Sequence, residues 1–286
     1  MPNVSIPKAP VEQVLTYKVV GDRAVDLVFY PPFTETAVPA PVYFLIPGGG
    51  WTACSKESMV DFSRLSAKLL REKGFAVVGI DYRAYKTDGV VMDAIISDCM
   101  DAARYLARHA DALHIDPQRL VTSGHSAGGH LALMLALAPH ELFTVDSPYA
   151  ADGGPDFAVE ACAPLSPPTI LYTDEDGHST RAFGIGHLFG EQKDDPAVYH
   201  RASPYDYLAD RAVPTFLAAG THDPLVFPEN SSRFYERCRA RGVRTELMLS
   251  QNGGHCFECL VEGAVSSPNH DDIQRALAAF VLEVCG

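Results

Sequence analysis

Apolar and polar residues alternate in two runs near the start of the chain, and short wholly apolar runs follow them. The alternating runs, residues 14–20 and 24–30, are separated by Gly21 and Asp22, which predicts an antiparallel hairpin at one edge of a sheet. The later runs are typical of strands covered on both faces, as in a parallel sheet. They lie at residues 42–46, 75–80, 120–122 and 215–219, and residues 245–250 form a further strand-like segment.

Segments with helical spacing of apolar side chains lie between these runs. They cover residues 58–73, 93–109, 127–138, 230–241 and 271–284. The segment 127–138 is apolar nearly all round, which predicts a buried helix. Strands that alternate with helices form βαβ units, so the pattern predicts an α/β fold with a mostly parallel central sheet flanked by helices.

Residues 139–211 interrupt this alternation. The segment is rich in Pro, Gly, Asp and Tyr and contains one plausible strand, at residues 157–162. Long irregular stretches in compact domains are usually functional. We therefore expect a single domain over residues 1–286 with a cap or lid insertion at about 139–211; a solvated insertion is the equally weighted alternative.

The composition of the chain limits the classes of molecule that it is expected to bind. The 286 residues carry a formal net charge of −13, which opposes binding to nucleic acid or an anionic membrane and favours a small neutral substrate. No apolar run is long enough for a signal peptide or a membrane span, so we expect a cytoplasmic protein. The seven scattered cysteines indicate reduced thiols rather than a disulfide framework. The sequence leaves a homo-oligomer open.

The sequence GHSAGG at residues 124–129 lies between the apolar run 120–122 and the apolar helix. A G-x-S-x-G pattern is weak alone, but a nucleophile elbow requires this strand-to-helix position. Glycines two residues from Ser126 on either side allow close backbone packing at the turn. Ser126 is therefore the candidate nucleophile; a Gly-rich helix start with Ser126 as its cap is the structural alternative.

Three consecutive glycines and a tryptophan, GGGW at residues 48–51, follow the strand-like run 42–46. Glycine leaves backbone N–H groups uncovered, as an oxyanion hole requires, and the N–H of Ala127 would complete the set. A phosphate-binding loop ranks low because the Lys-Ser/Thr pair that should follow is missing. A plain tight turn is the remaining alternative.

The general base should follow the last core strand, because the triad order in this architecture is Ser, acid, His. His255 lies just after residues 245–250 and fits that place; His222 is its main rival. We expect His125 to point away from the neighbouring nucleophile. His130, one turn into the helix, is expected to pack or to form a hydrogen bond.

The acid should close the strand at residues 215–219. Asp223 fits that position, where its carboxylate would accept from the imidazole and hold its tautomer. A turn-forming Asp before Pro is the structural alternative, and Glu229 is a weaker candidate acid.

Two further groups of polar residues have structural interpretations. Cys256 and Cys259 form a C-x-x-C beside His255, but no second cysteine pair accompanies them, so zinc is disfavoured. Tyr82, Arg83 and Asp98 are expected to brace loops.

Four motifs together, PGGGW, GHSAGGHLA, GTHDPLVFPENS and NGGHCFE, resemble the bacterial acetyl esterase and acetylxylan esterase group, relatives of the hormone-sensitive-lipase-like esterases. The resemblance runs from about residue 42 to the C-terminus and implies an α/β-hydrolase fold. It implies that the triad is Ser126, Asp223 and His255, with Gly49, Gly50 and Ala127 as oxyanion donors. LFGE at residues 188–191 is similar to a segment of that group's cap.

The chain departs from that group at two positions. Pro47 stands where many relatives have His, which removes a loop brace and not an oxyanion donor. Cys256 replaces the small residue usual after the catalytic His.

We therefore expect a serine esterase without metal or cofactor that cleaves short acyl esters, chiefly acetyl groups on plant-type sugars. Trp51, directly after the glycines, is expected to contact the substrate, and the polar residues 174–200 suit a sugar better than a lipid tail. An arylformamidase or small amidase and a feruloyl esterase are the enzyme alternatives. A non-catalytic α/β-hydrolase binding protein is the remaining one.

Overall fold

The strands of the protein form one mostly parallel sheet. The computed structural model describes residues 12–173, 183–208 and 211–286. Its eight strands within those ranges are β1 Gln13–Val20, β2 Arg23–Tyr30, β3 Ala40–Ile46, β4 Ala76–Ile80, β5 Ile115–His125, β6 Val159–Leu165, β7 Thr215–Gly220 and β8 Thr245–Ser250. They lie in the order β1-β2-β4-β3-β5-β6-β7-β8.

The two edge strands differ from the rest in direction. β1 and β2 form the predicted antiparallel hairpin, and β2 pairs antiparallel with β4. All pairs from β4 through β3 to β8 are parallel. Every residue of β4 and β7 is buried, because helices cover both faces. The α/β fold class predicted from the apolar runs is confirmed.

The helices fall between these strands. In the described part of the chain they are α1 Lys56–Phe62, α2 Arg64–Arg71, α3 Tyr85–Asp88, α4 Met92–Arg108, α5 Ala110–Leu113, α6 Ala127–Leu137, α7 Pro196–Arg201, α8 Pro204–Tyr207, α9 Glu229–Ala240 and α10 His270–Cys285. Short 3₁₀ helices occupy His140–Leu142 and Gly186–Gln192. α6 is buried along its whole length, as predicted.

The single helix predicted at residues 58–73 was wrong, because α1 and α2 meet at a break on Ser63. The side-chain Oε1 of Gln274, on α10, accepts from the backbone N–H groups of Leu65 and Ser66 at 3.0 and 3.2 Å. These are N–H groups of the first turn of α2, which a helix cannot satisfy internally. A distant side chain thus satisfies donors that the break exposes.

The irregular region predicted at residues 139–211 is divided by β6. That strand pairs with β5 and β7 inside the central sheet, so it belongs to the core. The described residues after it contain the 3₁₀ helix Gly186–Gln192, α7 and α8. We call residues 166–214 the cap segment. Residues 174–182 and 209–210 of the predicted insertion lie outside the described residues.

A buried cluster of charged side chains connects the edge strand β1 to α4. Lys18 Nζ, on β1, lies 2.8 Å from both Asp98 Oδ1 and Asp101 Oδ2, and all three side chains are fully buried. Arg83 donates to both carboxylate oxygens of Asp98 at 2.8 Å. The charges satisfy one another, as burial requires, and the bracing predicted for Arg83 and Asp98 is confirmed. In the described part of the chain, no helix is long and apolar enough to cross a membrane.

Candidate active site

The turn between β5 and α6 presents Ser126 in an unusual conformation. Its backbone has φ 57° and ψ −123°, a region that residues with a Cβ rarely adopt and that costs on the order of 1–3 kcal/mol. Two hydrogen bonds hold this conformation: Ser126 N–H donates to Leu165 O at 2.9 Å, and Ser126 O accepts from His130 N–H at 3.1 Å. The strand-to-helix turn predicted for the nucleophile is present.

The two glycines that flank Ser126 are required by close backbone contacts. A Cβ on Gly128 would lie 2.0 Å from Ile46 O, and one on Gly124 would lie 2.3 Å from Gly128 O. Both distances are far below van der Waals contact, so any larger residue would push β3, β5 and α6 apart. The G-x-S-x-G spacing therefore reflects the meeting of three backbone segments.

His255 and Asp223 form a short hydrogen bond. Asp223 follows β7, His255 follows β8, and His255 Nδ1 lies 2.6 Å from Asp223 Oδ2. Asp223 is buried, and its Oδ1 accepts from the backbone N–H groups of Leu225 and Val226 at 2.9 and 3.0 Å. A carboxylate only accepts, so Nδ1 carries the proton and Nε2 is left as the basic nitrogen.

The rival residues have other surroundings. His222 is exposed, and its Nδ1 lies 3.1 Å from the hydroxyl of its neighbour Thr221. Glu229 is the first residue of α9. The pair predicted from the sequence, Asp223 with His255, is the one that the structure brings together.

Ser126 and His255 line one cavity, with a volume of about 600 Å³. Its other described lining residues are Gly49, Gly50, Thr52, Lys86, His125, Phe183, Gly184, Ile185, His187 and Leu225. A second cavity, of about 630 Å³, shares Phe183, Gly184 and Ile185 with it and is bordered by Tyr172, Lys193, Asp194, Tyr199 and His200. Ser126 thus lines the first cavity, and the second adjoins that cavity at residues 183–185.

Gly49 and Gly50, in the glycine loop at residues 48–51, line the first cavity. Gly49 O accepts from the backbone N–H groups of Thr52 and Ala53 at 3.1 and 3.4 Å. Within the described residues, the amides of Gly49, Gly50 and Ala127 have no backbone acceptor. These three N–H groups are those predicted to stabilise an oxyanion.

Trp51 does not contact the cavity, so its predicted substrate role is wrong. The side chain is fully buried, and Nε1–H donates to His130 Nδ1 at 3.1 Å. His130 is therefore neutral with its proton on Nε2, which donates to Ala202 O at 2.7 Å. The sequence could not reveal this partner because His130 lies 79 positions away. The hydrogen-bonding role predicted for His130 is confirmed.

His125 also differs from expectation. It was predicted to point away from Ser126, but it lines the same cavity, and its ring centroid lies 4.6 Å from that of His255. Its Nε2 is 2.7 Å from His255 O. Burial, reinforced by the charge of His255, lowers the pKa of His125 from 6.5 to about 4. The ring is therefore neutral at physiological pH.

The cysteines near the site form no metal cluster. Cys256 and Cys259 are both exposed, and all seven cysteines of the chain are free thiols. Among the residues that the structure describes, no group of three or more His, Cys, Asp or Glu side chains is placed to hold a metal ion.

Tyr82, one of the predicted braces, supports the glycine loop. Its hydroxyl lies 3.1 Å from Pro47 O and 3.3 Å from Gly48 O. The Tyr82 hydroxyl thus binds the backbone at the start of the glycine loop. This contact was not predictable from local sequence.

Comparison with known proteins gives a family and several relatives. The family model BD-FAE matches residues 27–238, most of the chain. Esterase LipQ of Mycobacterium tuberculosis is 29% identical over 224 residues, which cover 77% of this chain and 51% of LipQ. Esterase LipC of the same organism is 28% identical over 264 residues, covering 86% and 62%. The chain thus spans between about half and 62% of the length of these two relatives.

The fold has close counterparts among solved structures. A thermophilic esterase from Thermogutta terrifontis, in its propionate-bound form, superposes with a TM-score of 0.77 and 24% identity. The match covers 97% of this chain and 95% of that one. The α/β-hydrolase fold implied by the sequence motifs is confirmed.

Proposed function

The chain belongs to the BD-FAE family, and on that premise we propose that it hydrolyses carboxylic esters with Ser126 as nucleophile, His255 as general base and Asp223 as the orienting acid. The observation that carries the proposal is the 2.6 Å contact between His255 Nδ1 and buried Asp223, beside the strained Ser126 in one cavity. A base that is oriented by an acid and opens onto a nucleophile is the arrangement that acyl transfer requires.

The proposed reaction proceeds in two halves. His255 Nε2 takes the Ser126 proton as Oγ attacks the ester carbonyl, and the amides of Gly49, Gly50 and Ala127 stabilise the oxyanion. His255 then gives the proton to the departing alcohol, which leaves an acyl-Ser126. Water, deprotonated by His255, attacks the acyl carbon and releases the acid. The scheme uses no metal or cofactor.

We further propose that the acyl group is short, with acetyl esters of carbohydrates such as acetylated xylo-oligosaccharides as substrates. The support is the pair of adjoining cavities: the first contains the nucleophile, and the second is bordered by Tyr172, Tyr199 and His200. Aromatic rings with polar edges suit stacking and hydrogen bonding to a sugar. Trp51 is buried and is not among the described residues that line either cavity.

A series of p-nitrophenyl esters from C2 to C12 tests the acyl preference. We expect the highest kcat/KM at acetyl or propionyl. A long apolar groove would instead gain roughly 0.8 kcal/mol for each added methylene. A maximum at C8 or beyond would contradict the short acyl site and the acetyl-sugar assignment with it.

A second experiment separates the enzyme alternatives. Acetylated xylo-oligosaccharides, feruloyl esters and N-formylkynurenine are compared as substrates, and the first is expected to be cleaved best. Preference for N-formylkynurenine would favour an arylformamidase. Failure of a fluorophosphonate probe to label Ser126 would favour the non-catalytic binding protein.

Three broader predictions accompany this proposal. The first is a single domain over residues 1–286, in which the insertion at about 139–211 acts as a cap or lid. The second is a cytoplasmic location. The third concerns the state of assembly, for which both a monomer and a homo-oligomer are open. Limited proteolysis, cell fractionation and light scattering are the respective tests.

A further inference from the structure

The backbone carbonyl of His255 accepts two side-chain hydrogen bonds. His125 Nε2 lies 2.7 Å from this oxygen, and Ser166 Oγ lies 3.1 Å from it. His125 is the last residue of β5 and directly precedes Ser126, and Ser166 directly follows β6. Two neighbouring strands of the central sheet therefore hold the loop that carries the candidate base.

The direction of both bonds is fixed by chemistry. A carbonyl oxygen only accepts, so His125 must carry its proton on Nε2 and Ser166 must donate its hydroxyl hydrogen. The lowered pKa of His125 keeps it neutral, so it adds no positive charge beside His255, 4.6 Å away between ring centroids.

Ser166 shows a second sign of constraint. Its φ is 45°, in the left-handed region that residues with a Cβ seldom adopt, and its N–H donates to Ala218 O at 2.8 Å. Strain of this kind persists where surrounding contacts enforce it, and it clusters at functional sites. Here it directs the hydroxyl at the loop that follows β8.

We propose that His125 and Ser166 are positioning residues that hold the His255 main chain in register with Ser126, and that His125 has the larger effect. This rests on the proposed function. Asp223 holds the His255 ring at one point, Nδ1. The two bonds to the carbonyl fix the other end of the residue, and two points of support define the direction of Nε2. A misplacement of about 1 Å at a reacting group can cost about 100-fold in rate.

The test compares variants that differ only in the donor. His125→Phe keeps a ring and removes the N–H, whereas His125→Gln keeps an N–H donor at about the same reach. Ser166→Ala removes the second donor. With p-nitrophenyl acetate, we expect His125→Phe to lower kcat about 10- to 100-fold with KM within about 3-fold, and Ser166→Ala to lower it about 3- to 10-fold. His125→Gln should recover most of the loss.

An activity-independent measurement keeps the inference separate from the proposed function. The Nδ1 proton of His255, in its bond to Asp223, should be protected from solvent exchange in the wild type and in His125→Gln, and should exchange faster in His125→Phe. A thermal melt checks that each variant is folded. If the wild type shows neither hydrolysis nor labelling, the proposed function fails, and the exchange experiment still decides the inference.

Two outcomes would overturn it. One is a folded His125→Phe variant with kcat within 2-fold of wild type and unchanged exchange at His255. The other is a His125→Gln variant as impaired as His125→Phe, since the N–H donor would then not be what matters.

Discussion

The strand ends around Ser126 and the cap segment that faces them are built by different kinds of contact. Around Ser126, backbone meets backbone: Gly128 lies against Ile46 O, and Ser126 N–H binds Leu165 O. In the cap segment, side chains add to the backbone bonds: His200, on the six-residue helix α7, and Tyr172 lie 2.8 and 3.0 Å from the carboxylate of Asp206, on the four-residue helix α8. Backbone contacts tolerate few sequences, whereas side-chain contacts can be exchanged. The strand ends thus fix the position of the candidate nucleophile, whereas the cap segment can vary in sequence and so change the selectivity.

The sharpest test of the strand ends around Ser126 is Ser126→Ala. The hydroxyl forms the covalent bond in the proposed reaction, so its loss should lower kcat by about 10⁴- to 10⁶-fold. Steady-state hydrolysis of p-nitrophenyl acetate measures this, and circular dichroism checks the fold. Retention of more than about a tenth of wild-type activity in a clean preparation would remove Ser126 from the mechanism.

The next largest effect should come from Asp223→Asn. The amide oxygen would accept from the backbone N–H groups of Leu225 and Val226, as Oδ1 does in the wild type, so the NH2 group would face Nδ1 and stabilise the wrong tautomer of His255. We expect kcat to fall about 10⁴-fold with little change in KM. His222→Ala is the matched control, because His222 is the exposed neighbour of the acid. Equal damage from His222→Ala and His255→Ala would show that the wrong base was chosen.

Two glycine substitutions compare the region around Ser126 directly with the cap segment. Gly128→Ala places a Cβ 2.0 Å from Ile46 O, whereas a Cβ on Gly184, in the cap segment, meets no atom of the described residues within 4 Å. Gly128→Ala should therefore lower the free energy of unfolding by about 3 kcal/mol, and Gly184→Ala by less than about 0.5 kcal/mol. Urea denaturation measures both. A similar loss of unfolding free energy in both variants would mean that the two regions tolerate substitution equally well.

Acid should weaken the fold through His125. Its pKa is about 4 in the folded protein and near 6.5 when unfolded, so the unfolded chain takes up the proton first. The stability that this residue contributes is present above pH 6.5 and is lost as pH falls toward 4. As the pH is lowered from 6.5 to 4, the Tm of His125→Gln should decrease by about 3 °C less than the Tm of the wild type. His222→Gln, at an exposed histidine, should follow wild type, and matching curves for all three would contradict the prediction.

The smallest effect is expected at the cap segment. Tyr172→Phe removes the hydroxyl that donates to Asp206 at 3.0 Å, beside the second cavity. We expect kcat/KM for acetylated xylo-oligosaccharides to fall about 3- to 10-fold, roughly the 0.5–1.5 kcal/mol of one hydrogen bond, and kcat/KM for p-nitrophenyl acetate to fall less. An equal decrease for both substrates would argue against a sugar site there.

What the sequence could predict follows the same division. The strands, the turn at Ser126 and the pairing of Asp223 with His255 were predictable, because local periodicity and the ends of parallel strands determine them. The catalytic roles of these residues remain predictions.

The errors involve contacts between residues far apart in the chain. Gln274 accepts from an N–H group next to the helix break at Ser63, and His130 accepts from the buried indole of Trp51. The orientation of His125 depends on His255, 130 positions later. Local spacing carries no information about which distant side chain satisfies a polar group, so the sequence alone could not have corrected these three predictions.

Trp51 is the one tryptophan in the chain, and it is buried in the glycine loop with its N–H bound to His130. All indole fluorescence of this protein therefore comes from one place, between the candidate oxyanion donors and α6. A buried indole emits at shorter wavelength than a solvated one. Stopped-flow emission can thus follow the loop during each turnover without any attached dye.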